Sequence, residues 1–229
     1  MSAKHSLRNI FLSLSTVALV AGCATSSPPK ESGFMPDYSR LQQVSTPDGG
    51  ARLVYVSPAF TPVKYSAIKL DPVVYYPEPQ ATEHVSKDTL ARIRQELDQS
   101  LRKKMGQKVR IVDQAGPGVA HVRVAITAVG SETRSLKAYQ FIPVAFAVTG
   151  AKAAVQGGLP QDARVAIESQ VTDSVSGELL YAAVRGGTGE RITDAAQGQG
   201  GVQLSSLQPL IEAWTTGAAD TIQQYVKAK

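Results

Sequence analysis

Val119-Ala120-His121-Val122-Arg123-Val124-Ala125-Ile126-Thr127-Ala128-Val129 alternates in character along its length. Val122, Val124, Ile126 and Ala128 fall on one side, and His121, Arg123 and Thr127 on the other. That period of two marks a strand with one face on a core. Residues 163–172 and 178–185 repeat the pattern: Val165, Ile167 and Val171 alternate with Arg164, Glu168 and Gln170. Between them, Asp173-Ser174-Val175-Ser176-Gly177 places a glycine where a left-handed residue closes a hairpin. Strands joined by so short a turn pair antiparallel.

Outward from this hairpin, residues 52–56 and 73–76 are rich in β-branched and aromatic side chains and read as strands, as does 109–112. Residues 87–105 read as a helix. Ser86 caps it, Gly106 ends it, and Leu90, Ile93, Leu97, Leu101 and Met105 form one stripe. A second helix, 207–226, carries Leu207, Leu210, Ile211, Trp214, Ala218, Ile222 and Tyr225 on its apolar face. Residues 139–155 are apolar around Pro143, and a short helix is expected from about 144. Residues 186–201 hold six glycines and read as a mobile loop. The class is therefore α+β, with a single mixed, mostly antiparallel sheet and helices mainly on one face, in one domain over 51–229.

The chain has 229 residues, 43% hydrophobic and 19% charged, which fits an ordinary globular domain and is too apolar for a disordered one. One cysteine rules out a disulfide framework or a multi-cysteine zinc site. Residues 1–22 have the make-up of a cleaved secretory leader. Lys4, His5 and Arg8 form a basic start, an apolar run over 10–20 comes next, and Ala21 and Gly22 precede Cys23. The run is too short for the ~20 residues a helix needs to cross a bilayer. Losing the leader removes Lys4 and Arg8, so the working protein is less basic than the formal net charge of +5. Such a mild excess gives no reason to expect nucleic acid as a partner. Residues 23–50 read as a flexible tether, rich in Ser, Pro and Gly, and 24–33 alone could extend roughly 30 Å. Phe34, Met35, Tyr38 and Leu41 are apolar for a free linker and suit docking back on the domain.

Leu19-Val20-Ala21-Gly22-Cys23 resembles a lipobox, the processing site of bacterial lipoproteins. The resemblance implies a diacylated Cys23 at the mature N-terminus, a covalent lipid rather than a cofactor. Ala24, rather than Asp, then implies the outer membrane in an enterobacterial type of host, with the domain facing the periplasm. The rest of the chain resembles the bacterial lipoprotein family known as domain of unknown function 3313. The matching features are Gly33-Phe34-x-x-Asp37-Tyr38-x-x-Leu41, Lys64-Tyr65-Ser66 before Lys69-Leu70-Asp71-Pro72-Val73, Gly116-Pro117-Gly118 before Arg123-Val124-Ala125-Ile126-Thr127, and the turn Asp173 to Glu178. This resemblance implies an envelope lipoprotein with one α+β domain and brings no activity or catalytic residue.

Chemistry is hard to assemble from what remains. His84 and His121 are the histidines beyond the leader, and no G-x-S-x-G elbow accompanies them. The pair has no metal-ligand spacing. Gly186-Gly187-Thr188-Gly189-Glu190-Arg191 lacks the phosphate-loop spacing. Glu168 and Glu178 lie on opposite strands of the hairpin, where an exposed sheet face accounts for both. Arg102, Lys103, Lys104, Lys108 and Arg110 form either a solvated helix face or a surface for anionic headgroups or acidic glycans. Phe141, Ile142, Val144 and Phe146 are either packed core or a partner-docking patch. The expectation is a non-enzymatic binding or scaffolding domain with an envelope protein or glycan as partner. The alternatives are an enzyme acting on an envelope polymer and a homo-oligomeric envelope component.

Overall fold

The computed structural model describes residues 31–45, 51–82, 85–133, 161–192 and 201–229. The elements run β1 (Gln42–Ser45), β2 (Ala51–Val56), β3 (Ala67–Leu70), β4 (Val74–Tyr75), α1 (Lys87–Lys108), β5 (Val119–Thr133), β6 (Gln161–Asp173), β7 (Leu179–Ile192) and α2 (Leu204–Gln223). They form one open α+β unit. Its seven-stranded sheet has the order β1-β2-β7-β6-β5-β3, with β4 also on β5. β3 and β4 run parallel to β5, and every other pairing is antiparallel. The anticipated strand at 109–112 is reduced to single bridges, Ile111 to Ile68 and Val109 to Ala228.

β3 and β4 are one edge interrupted at Asp71-Pro72. Pro72 has no N–H for the ladder, and the Val73 N–H turns instead to Asp98 Oδ1 of α1 at 2.9 Å. From there the chain crosses over through α1 to reach β5, as parallel neighbours require. Ser86 caps α1 by accepting from the Thr89 N–H at 3.0 Å. Leu90, Ile93, Leu97, Leu101 and Met105 are all buried, as their spacing predicts. Gly106 does not stop the helix, which continues to Lys108 and ends where Val109 turns extended.

Both helices bury their apolar faces in one core with Ile68, Val122, Val124, Ile126, Val165 and Leu180. One detail of the strand pattern is corrected. The β5–β6 register shifts between Ile126 and Ala128, so Val129, and not Ala128, packs with the helix-side core. A bulge inserts one residue and reverses the parity of every later position. The hairpin turn forms as read, with Gly177 at φ +75°. Asp173 Oδ1 accepts from the N–H groups of Val175 and Ser176.

The opposite sheet face has its own smaller core, and its cover comes from the supposed tether. Phe34 and Met35 are buried against Ala125, Ala182 and Val184, and β1 pairs with β2. Residues 31–45 are therefore part of the folded unit. The apolar side chains that set them apart from a Ser/Pro/Gly linker are the ones that dock.

The mobile loop expected from residue 186 is corrected over its first part, since β7 runs on to Ile192. Two of its glycines, Gly187 and Gly189, make room for α2. A Cβ on Gly187 would lie 2.5 Å from Trp214 Cζ2 and 2.8 Å from Leu210 Cδ2, and one on Gly189 would collide with the Ser206 carbonyl. Gly189→Ala is expected to destabilise the protein by about 1–3 kcal/mol, the usual cost of overpacking. Gly130→Ala, at a strand glycine with nothing within 4 Å of the added carbon, should stay within about 0.5 kcal/mol. Urea unfolding of the two variants beside the native chain measures the difference.

Candidate functional site

The tight contact is confined to the first part of α2. Further along, exposed Gly217 and half-buried Ala218 put little side-chain bulk on the helix. A cavity of about 110 Å³ lies there between α2 and the strands, lined among others by Arg52, Tyr181, Arg185, Trp214, Ala218 and Tyr225. No acidic residue is among its described lining. Arg52 on β2 and Arg185 on β7 are direct cross-strand partners. The Arg185 guanidinium lies 5.1 Å from the centroid of the Trp214 ring, a cation–π contact.

Two donors of this lining, Arg52 Nε and Trp214 Nε1, are buried without an acceptor among the described residues. Burial pushes the Tyr181 phenol up, with Tyr225 adding to the effect and Arg52 and Arg185 opposing it. The phenol therefore keeps its proton at neutral pH. The cavity sets apolar walls and aromatic rings beside cationic donors.

The five cations on and after α1 do not act together. Lys104 is stapled into the α1–α2 contact: its Nζ donates to the Glu212 carbonyl (2.9 Å), Thr215 Oγ1 (3.0 Å) and Thr216 Oγ1 (2.8 Å), and it pairs with Glu212 Oε1 at 2.6 Å. Thr215 is fully buried and bonds Ser100 across the same contact at 2.9 Å. Lys108 pairs with Asp220 at 3.1 Å, and Arg102 donates to the Leu70 carbonyl. Only Lys103 and Arg110 of the five are exposed. The single anion-facing patch is thus corrected: three of its members hold elements together. A linear charge count cannot see the α2 carboxylates and carbonyls that draw them in.

His121 is tied to β3. Its Nε2 lies 2.8 Å from Asp71 Oδ2, and Lys69 Nζ donates to Asp71 Oδ1 at 2.9 Å. Burial works to raise the Asp71 carboxyl, but the hydrogen bonds and charges of Lys69 and His121 prevail and hold it below its ordinary value. Glu168 and Glu178 part company. Glu178 is exposed, whereas Glu168 is 2% exposed beneath residues 31–41. There it accepts from the Tyr38 hydroxyl at 2.7 Å. That hydroxyl in turn accepts from the N–H groups of Gly33 and Met35. Among the described residues no group of three His, Cys, Asp or Glu side chains is placed to hold a metal. Cys23, His84 and the Phe141, Ile142, Val144 and Phe146 patch lie outside the described residues.

Arg52, Arg185 and Trp214 are functional candidates that motif reading missed. A signal was present in the parity. Arg52 shares its side of β2 with Val54 and Val56, and Arg185 pairs with Ile167, whose side chain packs on the helix-side core. A cation at an inward position of a strand is the unusual feature.

The sequence profile of the family described as "Protein of unknown function (DUF3313)" matches residues 30–218. This chain belongs to that family. DUF3313 thus spans both the docked segment at 31–45 and most of α2. A relative, the uncharacterized lipoprotein YdcL of Escherichia coli strain K12, is 30% identical over 177 residues, covering 76% of this chain and 79% of YdcL. Among solved structures, the PelC dodecamer from Paraburkholderia phytofirmans aligns with a TM-score of 0.36 at 10% identity, covering 78% of this chain and 99% of that one. The hypothetical protein CT253 from Chlamydia trachomatis aligns with a TM-score of 0.40 at 9% identity, covering 71% and 98%. Likenesses at that level carry no argument about what this DUF3313 member does.

Glu168 supplies a pH test of the docked segment. Burial holds its carboxyl above the ordinary carboxylate value, with the hydrogen bonds of Tyr38 and Ser32 offsetting this only in part. A carboxyl raised in the folded state binds its proton more tightly there than in the unfolded chain. Its charge therefore costs stability above the raised pKa, and that cost fades as pH falls through the raised value. Glu168→Gln, which keeps an acceptor for Tyr38, should gain stability relative to the native chain at pH 7.5 and lose most of that advantage by pH 4.5. Urea unfolding at the two pH values decides it; an advantage independent of pH would contradict the assignment.

Proposed function

We propose that the chain is a lipoprotein held on the outer membrane through an acylated Cys23, with a non-enzymatic periplasmic domain that binds or scaffolds another envelope component. The observation that carries the binding half is the cavity under α2, which sets unpartnered buried donors among apolar walls. Neither His121 nor Glu168, the groups best suited to acid–base work, is among the described lining of this cavity, which supports a non-catalytic reading. His121 is committed to Asp71, and Glu168 to Tyr38.

The anchor is supported by the Leu19-Val20-Ala21-Gly22-Cys23 sequence, which resembles a lipobox, and by kinship with a protein named as a lipoprotein. Each buried methylene contributes ~0.8 kcal/mol, so two or three acyl chains on one residue hold essentially permanently where one gives only marginal attachment. Ala24 after the cysteine favours the outer membrane. The docking of residues 31–45 then has a consequence for position. Seven residues, 24–30, separate the anchor from the folded unit, at most about 25 Å when extended. The domain is held close to the membrane surface.

Fractionation of native envelopes with a clickable palmitate analogue tests this. The native protein should label and sediment with the outer membrane, and Cys23→Ala should be dark and soluble. Equal labelling, or equal membrane partition of the two forms, would overturn it.

A further inference from the structure

We infer that the cavity beneath α2 is a binding site for a small single-chain amphiphile with an anionic head, a carboxylate or a phosphate. The inference deepens the binding reading proposed for this domain and rests on it. Two residues of one cavity wall, Arg52 and Trp214, each keep a buried N–H without an acceptor among the described residues. Such donors are rare in folded proteins, and each calls for an acceptor. Arg52 has Arg185 as its cross-strand neighbour. The Arg52 guanidinium brings a positive charge to the cavity wall beside the Trp214 indole, so an acceptor that is also an anion satisfies both. The planar fork of a guanidinium matches a carboxylate or a phosphate, and the charge-assisted bonds it makes are the strong kind. The described lining holds no carboxylate to compete for those donors.

The remaining wall sets the tail. Phe60, Tyr181, Trp214, Ile222 and Tyr225 give an apolar, mostly aromatic enclosure. Its volume of about 110 Å³ is somewhat below the roughly 150 Å³ of an engineered cavity that takes benzene. The enclosed part of the ligand is thus a short alkyl stretch or a single ring, with any longer tail leaving through the open side. A two-chain lipid does not fit inside.

Trp214 is the only tryptophan of the chain, so its emission reports on this site alone. The test titrates the full chain carrying Cys23→Ala, which has no thiol to acylate, with octanoate, octyl phosphate and octanol, all below micelle formation. Calorimetry runs alongside. Saturable emission changes are expected with both anions, and octanol should bind at least tenfold more weakly. The tighter of the two anions identifies the head. Arg52→Gln should weaken anion binding at least tenfold, and Ala218→Phe, which fills the cavity, should abolish it; thermal melting verifies that each variant is folded. Octanol binding as tightly as octanoate, or unchanged octanoate affinity in folded Arg52→Gln, would overturn the anionic head and leave an apolar site standing. If either variant fails to fold, the comparison of octanoate with octanol on the parent chain still decides. No saturable change with any of the three probes would overturn the inference and remove the cavity as support for the binding reading as well.

Discussion

Helix α2 rests on bare backbone. At Gly187 and Gly189 the β7 strand presents no side chain, and Trp214, Leu210 and the Ser206–Leu207 turn occupy the space a Cβ would need. A helix is a stiff rod, so close approach along one part of its length fixes its line across the sheet. Past that contact, Gly217 and Ala218 are among the residues that line the cavity. Lys104 and Thr215 then hold α2 against α1 through polar contacts that would mean little in open solvent but are sheltered here. The C-terminal residues finish the job: the Lys227 N–H bonds the Tyr65 carbonyl, and the Lys229 N–H bonds the Lys108 carbonyl.

The far face of the sheet solves a different problem. An antiparallel sheet can leave one face in water, yet this one carries a buried row of Thr127, Glu168 and Gln170. The segment at 31–41 makes that row tolerable. Tyr38 acts as the hub, bonding two backbone N–H groups of its own segment and the Glu168 carboxylate. The Arg123 guanidinium lies 4.9 Å from the Phe34 ring centroid, and Arg123 also donates to Gln170. Polar side chains on this face are thus structural. Under the proposed anchoring at Cys23, this same segment couples the folding of the domain to its distance from the membrane.

Much of the fold was legible because period is a local property. The stripe from Leu90 to Met105, the alternation of Val122, Val124 and Ile126, and the Asp173 to Gly177 turn each reveal themselves within a dozen residues or so. What could not be read was set by distant partners. Glycines in residues 186–189 look like a loop unless a helix is known to lie over them. Lys104 looks like a surface charge unless Glu212 and Thr215 are known to face it. β3 has no local signature, because Ala67-Ile68-Lys69-Leu70 is too short to show a period and pairs with its parallel neighbour β5. The cavity was the least legible part. Its lining brings together small residues of one element and cations of two others, none of which forms a motif with the rest.

The proposed binding site depends on one helix: its contact with the sheet at Gly187 and Gly189 fixes its line, and the proposed anionic ligand would meet the Arg52 and Trp214 donors in the cavity wall. The most direct measurement is the indole N–H resonance of Trp214 in a proton–nitrogen correlation spectrum, a single peak in a chain with one tryptophan. On addition of octanoate it should move downfield and saturate, as the orphaned donor or its surroundings acquire an acceptor. A peak that stays in place while octanoate shifts resonances elsewhere would contradict the assignment of this cavity as the site.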